Sequence, residues 1–111
     1  MTKIKVLRSA PARLKGMLFS KPSDDMVLLV PCNDVHTYGM SYPLDIAFVD
    51  RNAHVIQTYR NVAPKCRIRC PRATAVLERA ARSEIQWYSV GRYAGPGVHS
   101  AIKKTKRKVK V

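Results

Sequence analysis

Acids, cysteines, glycines and long apolar runs are all scarce in this chain, and each shortage narrows what it can be. Asp plus Glu number 7 against 21 Lys plus Arg over 111 residues, a formal net charge of +14. A positive field therefore surrounds the protein, and its expected partners are polyanions: nucleic acid, an anionic membrane face or an acidic protein. Cys32, Cys66 and Cys70 make an odd number, which does not complete a disulfide framework and fits a reducing compartment. The cytoplasm is the expected location. The longest apolar run, Met26 to Pro31, falls far short of the ~20 residues that cross a bilayer. No apolar stretch of roughly 7 to 15 residues follows the first lysines, so no export signal is expected. A nucleophile elbow and a glycine-rich turn are missing too.

What is present is an ordinary apolar fraction, 46%, beside 25% charged residues, enough for a folded body. A chain of this length suits one domain that buries about two thirds of its unfolded surface. The cations are unevenly spread. Lys103, Lys104, Lys106, Arg107, Lys108 and Lys110 form an acid-free run, and removing those six from +14 still leaves +8 on the remainder. Because Gly91, Gly95, Pro96 and Gly97 precede that run, the expectation is a single β-rich domain over 1–95 and a basic, flexible tail over 96–111.

Periodicity predicts mostly strands. Lys3 to Leu7 alternates as a half-buried edge strand does, and Met26 to Val30 is short and continuously apolar, as a buried strand is. Leu44 to Val49 puts Leu44, Ile46 and Phe48 on one face, and Asp50-Arg51-Asn52-Ala53 turns it back into Val55 to Tyr59 as a hairpin, with Asn52 at the left-handed position. Arg67 to Cys70, Ala73 to Leu77 and Ile85 to Val90 complete the strands. Ser9-Ala10-Pro11 reads as a helix start before Ala12 to Phe19, where Leu14, Met17 and Leu18 share a face. Many short strands and one short N-terminal helix imply a small barrel or rolled antiparallel or mixed sheet.

The segment His36-Thr37-Tyr38-Gly39-Met40, followed by Pro43-Leu44-Asp45-Ile46-Ala47-Phe48-Val49-Asp50, carries a family resemblance. So do Arg13-Leu14-Lys15-Gly16-Met17-Leu18 upstream and Ala75-Val76-Leu77-Glu78 downstream. Together they resemble the bacterial and archaeal family called domain of unknown function 192, over roughly residues 8 to 91. Two departures stand out: Arg79-Ala80-Ala81-Arg82 where the family often turns on small residues and glycine, and Gly91-Arg92 where it usually has Gly-Asp. The resemblance implies a compact, mostly β fold with a short helix and imports no reaction.

Several side chains invite a chemical reading. An imidazole oriented by a carboxylate serves general-base catalysis, so His36 and Asp45 are catalytic candidates if the Gly39 to Pro43 segment turns back. The simpler role is hydrogen bonding to loop backbone that would otherwise be unpaired. His36, Thr37, Tyr38, Met40 and Asp45 together form the candidate ligand-binding set. Cys32, His36, Cys66 and Cys70 make up the inventory of a Cys3His zinc site. A regular strand, however, holds residues four apart at about 13 Å, so neither metal nor cofactor is expected. Arg67, Arg69 and Arg72 form a second basic cluster beside the tail, suited to phosphates. The leading expectation is a non-enzymatic binding or accessory module with its surface at the His36 to Tyr42 loop. The alternatives are a polyanion binder using Arg67 to Arg72 with the tail, and a hydrolase using His36 and Asp45.

Overall fold

The computed structural model describes residues 4–8 and 25–105. Among the described residues the strands are β1 (Ile4–Leu7), β2 (Met26–Leu29), β3 (Asp34–His36), β4 (Leu44–Val49), β5 (Val55–Val62), β6 (Arg67–Arg69) and β7 (Ala75–Ala80), followed by one helix, α1 (Pro96–Lys104). Five strands form a sheet in the order β1-β2-β7-β4-β5, while β3 and β6 pair as a separate ribbon. The β1–β2 contact is parallel and the others are antiparallel.

Strand alternation sorts the apolar side chains onto two faces. Leu28, Val30, Ala47, Val49, Ala75 and Leu77 fill one, together with Trp87 and with Val98, Ala101 and Ile102 of α1. On the other, Val27, Leu29, Leu44, Ile46, Phe48 and Val76 pack against Val35, Met40, Cys70 and the half-buried Ile68 of the ribbon and its flanks. Both faces of the sheet are therefore covered, which is why β4 and β7 are buried at every position.

The sheet is open, which corrects the expectation of a small barrel. Its edges, β1 and β5, do not pair with each other. β5 departs from regular register at two places opposite β4, and bulges of this kind twist an edge away from further pairing. With only four residues, β1 adds a short opposite edge, too little ladder to close a cylinder.

The helix, expected near the N-terminus, lies near the C-terminus among the described residues. Gly95, at φ 113, occupies its N-cap, and a proline follows in the first turn, where a missing N–H costs nothing. Val98, Ala101 and Ile102 recur at helical spacing and join the core; burying Val98 and Ile102 contributes about 1.5–3 kcal/mol each. At the far end Thr105 N–H donates to Ile102 O at 3.2 Å, and Arg8 Nε donates to Thr105 Oγ1 at 2.9 Å. Lys103 and Lys104 sit in the last turn, where cations complement the helix dipole. The expected helix over Ala12 to Phe19 lies outside the described residues, as do Lys106, Arg107, Lys108 and Lys110.

Two local expectations change as well. Ala53, at φ 64, takes the left-handed place in the β4–β5 turn instead of Asn52; its side chain is wholly buried, and Asp50 Oδ1 accepts the N–H groups of Asn52 and His54 at 2.9 and 3.0 Å. Ile85 to Val90 forms no strand. The carbonyl of Ile85 accepts instead from Arg79 and Arg60, at 2.9 and 2.7 Å, so two guanidinium groups replace a ladder partner.

Candidate functional site

The segment after β3 is a turn closed by Met40 N–H donating to Thr37 O at 3.1 Å. Gly39, at φ 88, holds the third position, where a type II turn needs positive φ. Thr37 ties this turn to the loop before β6. Its buried hydroxyl donates to Ala63 O at 2.8 Å and accepts Cys66 N–H at 2.9 Å, while its own N–H donates to Cys66 O at 2.8 Å. Met40 is buried in the ribbon-side core. Thr37 and Met40 thus hold the loop, and His36 and Tyr38 stand outside it, their ring centroids 5.9 Å apart and Tyr38 56% exposed.

Cross-strand register brings two arginines to the same place. Asp34 pairs with Arg69, Val35 with Ile68 and His36 with Arg67. Since Val35 and Ile68 face the core, Asp34, His36, Arg67 and Arg69 share the outward face. Asp34 takes Arg67 in a bidentate grip, with Nε to Oδ1 at 3.0 Å and Nη2 to Oδ2 at 2.6 Å, and Arg69 Nε lies 3.9 Å from Oδ2. The Arg67 hydrogen bond holds the Asp34 carboxyl below its ordinary value. Both arginines remain more than half exposed, and Arg72 is exposed in the turn that follows, where Ala73 N–H meets Cys70 O at 2.8 Å.

Asp45 belongs to a different place. It lies between Leu44 and Ile46, both of the ribbon-side core, so its side chain points to the opposite face, beside its direct cross-strand partner Arg79. Oδ2 accepts Arg79 Nε at 3.0 Å, Arg82 N–H at 3.3 Å and Arg60 Nη2 at 3.4 Å, and Oδ1 accepts Asn61 N–H at 3.0 Å. Asn61, at φ 55, sits where β5 slips register, so the carboxylate caps an irregularity of the edge strand. Burial alone raises the Asp45 carboxyl, but these bonds outweigh it and leave the group below its usual range. None of its four partners is His36.

The thiols do not gather. Cys32 Sγ contacts Asp34 O at 3.4 Å, Cys66 Sγ lies 3.9 Å from Pro64 O, and Cys70 is buried in the ribbon-side core. Among the described residues no three His, Cys, Asp or Glu side chains converge as metal ligands do, so Cys32, His36, Cys66 and Cys70 do not make one centre. Nor is any helix there long and apolar enough to cross a membrane.

A further acid drew no attention from spacing alone. Glu78, in central strand β7, is almost wholly buried, and its Oε2 has no hydrogen-bond partner. Burial pushes its carboxyl up to about 7. Nearby, Tyr42 is raised by its own burial and then by Glu78. The available signal was a charged pair, Glu78-Arg79, inside a strand otherwise made of Ala, Val and Leu.

The family model described as Uncharacterized ACR, domain of unknown function 192, matches residues 1–86. The chain belongs to that family. Trp87 and α1 lie beyond the matched residues. No curated protein matches the chain. Two solved structures share its fold. One is a protein of unknown function from Novosphingobium aromaticivorans, 21% identical, with a TM-score of 0.60 over 70% of this chain and 62% of that one. The other, from Sinorhizobium meliloti and put forward as a transcription regulator, is 17% identical, with a TM-score of 0.63 over 70% of this chain and 67% of that one. This chain therefore spans less than two thirds of the Novosphingobium protein's length. At these identities the likeness concerns the fold.

Proposed function

We propose that this domain of unknown function 192 protein is a non-enzymatic binding module whose outward ribbon face takes a phosphate-bearing polymer. One observation carries the reading: His36, Tyr38, Arg67 and Arg69 are presented together on a face whose one carboxylate, among the described residues, is Asp34. Guanidinium groups grip phosphates by paired N–H donors, and an exposed aromatic ring offers a base a surface to stack on. Lys103 and Lys104 on α1, with the lysines after it, add to the long-range attraction. A hydrolytic role would need His36 within hydrogen-bond reach of Asp45, and no such contact exists here.

Binding of a fluorescently labelled single-stranded oligonucleotide, followed by anisotropy across salt concentrations, tests the reading. Log affinity should fall linearly with log salt, and Arg67→Ala with Arg69→Ala should weaken binding and flatten the slope. If all six tail cations contacted phosphates of a duplex, the slope would be about −5, and truncation after Ile102 would flatten it. Binding that ignores salt, or that is unchanged in the double variant, would sink the proposal.

A further inference from the structure

On the sheet face away from the ribbon, a pocket of about 180 Å³ opens between Met26, Arg79, Gln86, Trp87, Tyr88 and Arg92. Two guanidinium groups, each seated over an aromatic ring, wall it. Arg79 lies 4.6 Å from the Trp87 ring, Arg92 lies 5.3 Å from the Tyr88 ring, and the two rings meet edge to face at 5.1 Å. We propose that this pocket binds a small planar anion, a single ring system carrying a phosphate or a carboxylate.

The walls are held before any ligand arrives. Trp87 Nε1–H donates to Ile46 O at 3.1 Å, and its ring joins the core. Arg79 is fixed by Asp45 and by Ile85 O, so its charge is already matched and its plane serves as a surface. Preorganised walls of this kind spare a ligand the entropy of ordering them. Arg92 differs. Its backbone is pinned, with N–H to Ser89 O at 3.1 Å and its carbonyl accepting Val55 N–H at 2.9 Å, but its guanidinium is exposed and has no carboxylate partner among the described residues. An unmatched cation beside aromatic faces selects a ligand that is flat at one end and anionic at the other. The volume is below the ~300–1,000 Å³ of pockets for drug-sized molecules, so one ring system fits and the anionic end reaches the mouth. Trp87, Tyr88 and Arg92 lie beyond the family-matched residues, whereas Met26, Arg79 and Gln86 lie within them.

The chain's one tryptophan is a wall of the pocket, so its fluorescence reports occupancy directly. The 111-residue chain is titrated with adenosine monophosphate and with benzoate, excited where neither absorbs, and with their neutral counterparts adenosine and benzamide. At least one anion should change Trp87 emission saturably, with a dissociation constant of about 1 mM or tighter. Its neutral counterpart should bind at least about tenfold more weakly. Whichever anion saturates identifies the source as a base phosphate or an aromatic acid. Arg92→Ala, at an exposed position, and Tyr88→Leu should each lose the response, whereas Arg67→Ala with Arg69→Ala should keep it, separating this site from the ribbon. The proposal is overturned by no saturable change with either anion, by equal binding of the neutral counterpart, or by an undiminished response in a folded Arg92→Ala protein.

Discussion

His36 and Asp45, close in the chain and of complementary chemistry, lie on opposite sides of the five-stranded sheet. His36 stands on the ribbon that covers the Leu44, Ile46 and Phe48 face, and Asp45 points to the face that carries Arg79. The strand between them acts as a partition: its even positions look one way and its odd positions the other. Each residue acquires a role from its own side. The imidazole is a surface group beside Tyr38, and the carboxylate is the anchor that draws Arg60, Arg79 and the Arg82 backbone together.

His36→Ala should leave stability nearly unchanged. The side chain is exposed and its ring lies against Tyr38, itself exposed. Surface substitutions of that kind move stability by about 0.5 kcal/mol or less. Urea unfolding checks this, and a loss several times larger would show that the imidazole supports the loop.

Asp45→Asn should be severe. Arg79 is only 8% exposed, and removing its carboxylate partner leaves a buried guanidinium uncompensated, a loss of about 3–5 kcal/mol. The Arg82 and Asn61 amides lose a charged acceptor as well. Thermal unfolding should drop by more than 10 °C or so, at about 4–8 °C per kcal/mol for a domain of this size. Because Arg79 then loosens, the Trp87 environment should shift in near-ultraviolet circular dichroism. A variant with wild-type melting would refute the anchoring role.

The parity of Asp45 was legible in the sequence, since Leu44, Ile46 and Phe48 on one face put it on the other. What spacing along one strand does not contain is which face the His36 loop covers, a matter of tertiary packing. β4 was legible to the residue because turn residues bracket it, Pro43 before and Asp50-Arg51-Asn52 after, and the loop beginning at His36 marked the family. Helix α1 was legible but misread: Gly95 and Pro96 look like a break, yet the same pair opens a helix when Val98, Ala101 and Ile102 follow. The segment Ile85 to Val90 resembles a strand locally, and Arg60 and Arg79, on other elements, take its first carbonyl, that of Ile85.

Stability should fall with rising pH through the titration of Glu78. Its carboxyl is raised in the folded protein to about 7 from an ordinary 4.5. Below 4.5 both states hold the proton and burial carries no ionic penalty. Between there and about 7 the unfolded chain releases its proton while the folded one keeps it, so stability declines as pH rises, by about 3 kcal/mol once both states are ionised. Asp34 and Asp45, both lowered, act in the opposite sense at acid pH, so the comparison must be differential. Glu78→Gln, which cannot ionise, should match the wild type near pH 4.5 and exceed it progressively up to pH 8. A gap that stays constant over that range would mean Glu78 is not the group responsible.

Asp34→Asn should strengthen polyanion binding. The Asp34 carboxylate occupies the Nε and Nη2 edge of the Arg67 guanidinium, one of the edges that could grip a phosphate, and lies near Arg69. It therefore competes with the ligand for the same guanidinium, and its removal frees one cation on the ribbon face. Each added phosphate contact steepens the dependence of log affinity on log salt by about 0.7 to 0.9. The variant should accordingly bind the labelled oligonucleotide more tightly at low salt and with a slope steeper by roughly that amount. Thermal unfolding should change little, because exposed ion pairs add little net stability. The same substitution in an Arg67→Ala background should lose most of the gain, since the effect operates through that side chain. Equal gains in both backgrounds would place the benefit in general charge and remove Arg67 from the interface.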